Sequence, residues 1–323
     1  MKRLFVFITA ATLLLASCGN EKKEAKKDDV SGDLIIFHAG SLSVPFQQIA
    51  DSFQKIHPKV NILREAAGSV ACARKITELK KTCDIMASAD YEIINKLLIP
   101  GHADWNIKFA SNEMVIAYDE HSRHSEKIDR RNWFKILMKD DVTYGRSDPN
   151  SDPCGYRSVL VADLASDYYQ LPGLKEELLA KDKEYIRPKE TDLLALLQTG
   201  TIDYMFIYRS VAEQHDLNYI LLPDSINLKK PELAGYYQTA EVDIHGSKPG
   251  DFITQQGEPM VYGLTLCKDA PNKEAAMEFL KFLLTENKGM KIIGKNGQPS
   301  VIPSYTKTYD KLPDELKKFA NKN

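Results

Sequence analysis

Short apolar runs alternate with helical patterns through most of this chain, and that alternation restricts its fold more than any other feature. The first two units share one layout: an extended run, at 34–39 or 60–65, leads through small residues into Gly-Ser and then into a helix-forming stretch. A third apolar run covers 84–88. Strands alternating with helices are typical of an α/β protein with mainly parallel sheets. A second set of such units, from about residue 114, predicts two Rossmann-like lobes.

Two serines fall where folds of this kind bind ligands. Ser41 follows the first predicted strand and Ser69 the second, each beside a glycine and at the start of a predicted helix. Ligands of parallel sheets bind beyond the carboxyl ends of the strands, and helix N-termini present unpaired amides to anions. Ordinary helix capping explains either serine alone. Two such turns on neighbouring units favour a binding site.

A third helix start lies in the stretch 147–157. Asp152 is predicted to cap this helix and Pro153 to occupy its first position, because proline has no amide to leave unpaired there. The free amides of Cys154 and Gly155 would then favour an anion. Capping alone accounts for Asp152, so the stretch indicates a site only in combination with the two Gly-Ser turns.

The N-terminus has the pattern of an exported lipoprotein. A basic segment precedes the apolar run 4–16, which is too short to span a membrane and ends in Leu-Ala-Ser-Cys-Gly, similar to a bacterial lipobox. Residues 1–17 are therefore predicted to be a signal peptide and Cys18 to be the lipidated first residue of the mature chain; a plain secretory signal is the alternative. The charged run within 18–32 is predicted to be a flexible tether.

Composition argues against several functions. The 43 basic and 45 acidic residues give a formal net charge of −2, so no basic surface for nucleic acid is expected. The five cysteines show no CxxC or Cys/His metal spacing. Cys72 and Cys83 are predicted to flank one helix, too far apart to bridge, and no disulfide is expected. No nucleophile–base set, phosphate loop or dinucleotide glycine pattern indicates an enzyme.

Seven motifs, collinear over residues 34–303, resemble the tungstate/molybdate-binding proteins, in the branch best known from archaea. They are 38–42 (HAGSL), 65–69 (EAAGS), 87–91 (ASADY), 148–150 (DPN), 152–158 (DPCGYRS), 206–212 (FIYRSVA) and 261–263 (VYG). The resemblance implies a receptor of an ABC-type uptake system with the type II periplasmic-binding-protein fold, two lobes joined by two crossover strands. It also implies a monomer facing the periplasm or exterior, anchored through Cys18 and partnered by a permease, with no cofactor.

The resemblance implies roles for eight residues around one bound oxyanion. The expected contacts are Gly40 and Ser41 in a first turn, Ser69 in a second, Asp152, Pro153 and Cys154 in a central loop, Glu190 in a later helix start, and Tyr208 at a strand end. Cys154 is expected to contribute its backbone amide rather than its thiol. No Lys or Arg is required.

Two of these residues, Asp152 and Glu190, match carboxylates that bind the metal atom of the oxyanion directly and make it six-coordinate. An insertion found in other members is missing before the glutamate, so Asp192 is kept as an alternative to Glu190. An acid in a dry pocket repels an oxyanion unless it bonds to a positive centre. Hexavalent tungsten and molybdenum are hard centres that accept such oxygen ligands.

Lobe I is predicted to comprise 33–113 and 259–323, and lobe II 114–258, so that the serines and the carboxylates would meet when the lobes close. Three other functions stay open: a receptor for another tetrahedral oxyanion such as sulfate, an iron receptor using Tyr236 and Tyr237, and an enzyme on the same fold. With a tetrahedral anion the two carboxylates would point away as helix caps. Adjacent tyrosines in a strand face opposite ways, which disfavours iron.

Overall fold

The structure is a computed structural model that describes residues 30–246, 248 and 250–322. The predicted signal peptide, the predicted lipidation site Cys18 and most of the predicted tether lie outside these residues. Within the described ranges, no helix combines the length and the apolarity that a membrane span requires. The described residues therefore correspond to the domain predicted to follow the tether.

Two five-stranded sheets form the centres of two lobes. The strands in the described residues are β1 (Gly32–Ala39), β2 (Val60–Ala67), β3 (Ile85–Ser88), β4 (Ile107–Ser111), β5 (Met114–Tyr118), β6 (Tyr144–Ser147), β7 (Ile186–Arg187), β8 (Tyr204–Tyr208), β9 (Asn218–Leu221), β10 (Glu241–His245), β11 (Phe252–Gln256), β12 (Val261–Leu266), β13 (Ser304–Thr306) and β14 (Ala320–Lys322). The sheet of lobe I has the order β2-β1-β3-β12-β4, and that of lobe II has the order β7-β6-β8-β5-β9. Two small sheets pair β10 with β11 and β13 with β14.

Helices pack against both sheets. Those in the described residues are α1 (Ser43–Gln54), α2 (Ser69–Thr77), α3 (Tyr91–Ile93), α4 (Trp133–Leu137), α5 (Pro153–Tyr168), α6 (Leu174–Lys181), α7 (Leu194–Gln198), α8 (Arg209–Gln214), α9 (Ala234–Tyr237), α10 (Lys273–Leu284) and α11 (Lys291–Lys295). Short 3-10 turns precede α1 at Gly40–Leu42 and α7 at Glu190–Leu193. The alternation of strands and helices confirms the predicted α/β class with two Rossmann-like lobes.

Each sheet is mainly parallel, as predicted, but contains one reversed strand. β12 runs antiparallel to β3 and β4, and β5 runs antiparallel to β8 and β9. These are the strands by which the chain enters one lobe from the other. It crosses at Asn112 and Glu113, between β4 and β5, and returns at 257–260, between β11 and β12. This arrangement lets the carboxyl ends of the parallel strands of both sheets meet in one cleft.

Some local predictions are wrong. Cys72 lies inside α2 and Cys83 beyond its end, so the two do not flank one helix; they are buried thiols. Tyr236 and Tyr237 lie on the short helix α9 instead of a strand, and the Tyr237 hydroxyl donates to the carbonyl oxygen of Asp224. The sequence-based prediction also misses β4 and the β10–β11 hairpin, although Val242 and Ile244 alternate with exposed residues along β10.

Candidate functional site

The side chains predicted to bind an anion lie at the carboxyl ends of parallel strands from both sheets. Ser41 follows β1, Ser69 follows β2, and Tyr208 is the last residue of β8. Asp152 lies beyond β6, immediately before α5, and Glu190 lies beyond β7. All five residues are at most 1% exposed. The structure therefore shields every one of these polar groups from solvent.

Two glycines allow the lobes to meet. A Cβ placed on Gly40 would lie 2.8 Å from Oε2 of Glu190, and a Cβ on Gly68 would lie 2.2 Å from the carbonyl oxygen of Ser151. The same carbonyl accepts a hydrogen bond of 3.1 Å from the Ala71 amide across the cleft. Because a side chain at either glycine would collide with the other lobe, these turns of lobe I and the acidic loops of lobe II are in direct contact.

The carboxylate of Asp152 organises two loops of lobe II. Its Oδ1 accepts from the Cys154 amide at 3.3 Å, which caps α5 as the sequence predicts, and Pro153 occupies the first helical position. Its Oδ2 accepts from the Glu190 amide at 2.9 Å. Each oxygen retains a second lone pair for another partner. Asp152 thus holds the start of the Glu190 turn beside the start of α5.

The carboxyl group of Glu190 is buried near the carboxyl group of Asp152 and the amide of Ser41. Neither Oε1 nor Oε2 has a hydrogen-bond partner within the described residues. Burial raises the pKa of Glu190 well above its usual value, and the neighbouring charge of Asp152 raises that pKa further. Burial also raises the pKa of Asp152, although the side chains of Glu190 and Ser147, followed by the amides of Cys154 and Glu190, oppose the change. A buried carboxylate is costly unless it is protonated or meets a positive centre.

Three buried hydroxyl groups accept a hydrogen bond but have no acceptor for their own proton within the described residues. The Ser41 hydroxyl accepts from Tyr262 Oη at 3.1 Å, the Ser69 hydroxyl from the Ala89 amide at 3.0 Å, and the Tyr208 hydroxyl from Arg157 Nη1 at 3.0 Å. No acceptor for any of the three hydroxyl protons is found among the residues that the structure describes. Burial raises the pKa of Tyr208 well above its usual value, so its hydroxyl stays protonated. The three groups are therefore hydrogen-bond donors suited to anionic oxygens.

Ser147 is a site residue to which sequence reasoning gives no role. It is the last residue of β6, and it is fully buried. Its hydroxyl forms no hydrogen bond of ordinary geometry within the described part of the chain, but it lies near the carboxyl group of Asp152 and lowers the pKa of that group. A serine at the carboxyl end of a parallel strand is the available signal, since Ser41 and Ser69 occupy comparable positions.

Arg157 is a second residue that the sequence reasoning leaves out. It lies in the second turn of α5, is 3% exposed, and places its guanidinium against the hydroxyl of Tyr208. The family resemblance requires no Lys or Arg, but the structure places a cation next to one predicted anion contact. Asp90 balances this charge, with 3.3 Å between Arg157 Nη2 and Asp90 Oδ2. The available signal is an arginine near the start of a helix that continues with the apolar run 159–162.

Pro153 and Cys154 have no free amide to donate to an anion, and Asp192, the alternative second carboxylate, lies outside the buried region. The Cys154 amide is directed at Asp152, and Pro153 offers no amide at all. The Asp192 carboxylate pairs with Lys189 at 2.7 Å and its side chain is 33% exposed. Of the two candidates for the second carboxylate, Glu190 is therefore the one that lies against Gly40 in the buried region.

Comparisons with known proteins show the family and the fold of the chain. The family model described as bacterial extracellular solute-binding protein matches residues 34–297. An uncharacterized solute-binding protein of Petrotoga mobilis is 47% identical over 98% of this chain and 95% of its own. The molybdate/tungstate-binding protein WtpA of Thermococcus kodakarensis is 41% identical over 98% and 96%, respectively. The solved periplasmic molybdate-binding protein of Azotobacter vinelandii has a TM-score of 0.61 at 18% identity, covering 84% of this chain and 99% of that one, which shows a common fold.

Proposed function

The chain belongs to the family of bacterial extracellular solute-binding proteins, and from this premise we propose that it captures tungstate or molybdate between its lobes and delivers the anion to an ABC permease. Proteins of this family are components of uptake systems, not enzymes, which confirms the prediction that the chain is not an enzyme. The relative from Thermococcus kodakarensis is named for molybdate and tungstate binding. Its similarity over nearly the whole chain supports the choice of ligand.

One observation carries the proposal: the two oxygens of Glu190 are buried and unpartnered beside the carboxylate of Asp152. A tungsten or molybdenum atom inside its oxyanion is a hard positive centre that accepts carboxylate oxygens. Coordination by Asp152 and Glu190 would turn two costly buried acids into ligands. The residues present therefore fit a metal oxyanion better than an anion whose central atom accepts no further ligands.

The hydroxyl groups of the site fit the oxygens of the same anion. Ser41 and Ser69 approach from lobe I and Tyr208 from lobe II, each with a free proton to donate. Hydrogen bonds from neutral donors to a charged oxygen are stronger than those between neutral groups. The anion would thus hold the two lobes together, because each lobe supplies part of its shell.

A sulfate-like tetrahedral oxyanion is the second candidate. Asp152 does cap α5, as expected if it does not bind a metal atom. The raised pKa of Glu190 would also let a protonated carboxyl donate one hydrogen bond to such an anion. The two candidates differ in what they require of Glu190: a bare carboxylate ligand for tungstate, and a protonated donor for sulfate.

Calorimetric titration of the chain from residue 30 onward tests the proposal, with tungstate, molybdate and sulfate as ligands. We expect wild type to bind tungstate or molybdate and to give no sulfate heat. Glu190→Gln should weaken binding by at least roughly 100-fold, because it removes a direct ligand of the metal atom. Asp192→Asn is the matched control and should stay within about threefold, since it breaks only a partly exposed ion pair.

The outcomes separate the candidates. Equal binding of sulfate by wild type would contradict coordination of a metal atom and leave a general oxyanion receptor. Strong tungstate binding by Glu190→Gln would keep the ligand but remove Glu190 from its shell. Absence of binding to all three anions would overturn the proposal as a whole.

Anchoring through Cys18 forms a separate part of the proposal. The lipobox-like pattern supports cleavage before Cys18 and attachment of lipid to it. A charged segment of 18–32 would then hold the binding domain near the permease. Cys18→Ser should move the exported protein from the membrane fraction to the soluble fraction without changing its affinity for tungstate. Unchanged fractionation would contradict the lipid anchor.

A further inference from the structure

A buried polar cluster joins the two lobes next to the site, and the proposed function gives it no role. The cluster consists of Asp90, Tyr156, Arg157 and Tyr208, all at most 9% exposed. Asp90 follows β3 in lobe I, within the 87–91 motif, whereas the other three belong to α5 and β8 of lobe II. We refer to these four residues as the interlobe cluster.

Asp90 is held by groups from both lobes. Its Oδ1 accepts from the Glu92 amide at 2.9 Å within lobe I, where it caps α3. Its Oδ2 accepts from the Tyr156 hydroxyl and lies 3.3 Å from Arg157 Nη2, both from lobe II. This ion pair therefore exists only while the lobes are in contact. If one partner were neutralised, contact between the lobes would bury the other charge without compensation.

Arg157 connects this ion pair to two of the predicted donors. Its Nη1 donates to Tyr208 Oη at 3.0 Å and to the carbonyl oxygen of Ala89 at 2.8 Å. The amide of Ala89 in turn donates to the Ser69 hydroxyl. With its oxygen occupied by the guanidinium, the Tyr208 hydroxyl must direct its proton elsewhere. The neighbouring positive charge also makes that proton a better donor to an anion.

We propose that Asp90 and Arg157 are positioning residues for anion capture: their contact forms when the lobes close, and it directs the hydroxyl proton of Tyr208 towards the bound oxyanion. The inference rests on the proposed function and deepens it. Closure of the lobes would fix the position of the Arg157 guanidinium and, through it, the direction of the Tyr208 hydroxyl. The same guanidinium bonds to Tyr208 within its own lobe and to Asp90 and Ala89 across the cleft.

The test measures tungstate affinity for a set of variants whose unliganded fold is checked by circular dichroism. Asp90→Asn and Arg157→Gln should each weaken binding by roughly 100-fold, since each leaves one buried charge unpaired when the lobes close. The double variant Asp90→Asn/Arg157→Gln removes both charges. Its tungstate affinity should recover to within about tenfold of wild type, because only the orientation of Tyr208 remains impaired. This residual loss of affinity should equal the loss caused by Tyr208→Phe alone.

A triple variant distinguishes positioning from a purely structural role. When Tyr208→Phe is added to Asp90→Asn/Arg157→Gln, the loss of affinity should not grow by more than about twofold, because without Arg157 the Tyr208 hydroxyl is no longer directed at the anion. If the pair of Asp90 and Arg157 had a purely structural role, the affinity loss of the double variant and that of Tyr208→Phe would multiply in the triple variant. Lys96→Met is the matched control: it removes another contact between the lobes, the 2.8 Å bond from Lys96 Nζ to Gln255 Oε1, and should change affinity by less than about threefold.

Two results would overturn the inference while leaving the proposed function intact. One is tungstate binding by Asp90→Asn as tight as that of wild type. The other is a triple variant in which the losses multiply fully. A wild-type protein that binds no oxyanion would instead overturn the proposed function, and the inference with it.

Discussion

The two lobes contribute opposite chemistry to the candidate site. Lobe I supplies glycine turns and the hydroxyl groups of Ser41 and Ser69, whose oxygens already accept hydrogen bonds. Lobe II supplies the carboxyl groups of Asp152 and Glu190, of which Glu190 is buried without a partner. In the proposed function, lobe I would donate hydrogen bonds to the oxygens of the anion, whereas lobe II would bind its central atom and add one donor, Tyr208. A ligand must satisfy both requirements at once, and few anions do.

The largest effect is expected where the backbones of the lobes touch. Gly68→Ala should weaken tungstate binding by roughly 100-fold or more, because its Cβ would lie 2.2 Å from the Ser151 carbonyl and would keep the lobes apart. Calorimetry gives the affinity, and small-angle scattering should show no compaction when tungstate is added. Gly101→Ala is the control, since nothing lies within 4 Å of a Cβ at that position. Normal compaction of Gly68→Ala would contradict the tight contact between the lobes.

A smaller effect is expected from removing a hydroxyl donor of lobe I, which should not change the preference between tungstate and molybdate. Ser69→Ala in lobe I should weaken binding of tungstate and of molybdate by about tenfold each, because the lost hydrogen bond goes to an oxygen that both anions have. The ratio of the two affinities should stay unchanged, as measured by competition calorimetry. Ser52→Ala on the exposed face of α1 serves as the control. A change in the ratio would mean that lobe I also senses the metal atom.

The smallest effect concerns the unliganded protein and the acids of lobe II. The folded protein binds a proton on Glu190 more tightly than the unfolded chain, because burial raises its pKa. The stability that this group contributes is therefore present at acidic pH and is lost as pH rises through the raised pKa. Glu190→Gln should unfold a few degrees above wild type at about pH 8, and the difference should shrink towards about pH 5. Equal melting temperatures at both pH values would indicate that Glu190 is hydrated in the unliganded protein.

Local sequence patterns predict the lobe architecture and most of the site because both depend on strand ends. Ser41 and Ser69 each follow an extended run and a glycine, and Asp152 precedes a proline at a helix start, so the sequence alone identifies all three. Glu190 comes only from the family resemblance, because its turn follows a strand of two residues, too short to give a pattern.

The contacts that support these residues could not be predicted in the same way. Tyr262 bonds to Ser41 across 221 positions, and Arg157 bonds to Ala89 across 68. Such pairs carry no periodicity, and a buried arginine is recognised only when its partner is known. Sequence reasoning therefore names the groups that would touch a ligand and misses those that orient them.

The burial of the site limits how fast it can exchange its contents. While the Ala71 amide bonds to the Ser151 carbonyl, the two lobes are in direct contact beside Gly68. An anion held between Asp152 and Glu190 would leave only as often as the lobes separate. Residence time would then depend on backbone contacts that do not involve the ligand itself, and a transport partner could shorten it by pulling the lobes apart without binding any ligand-contacting side chain.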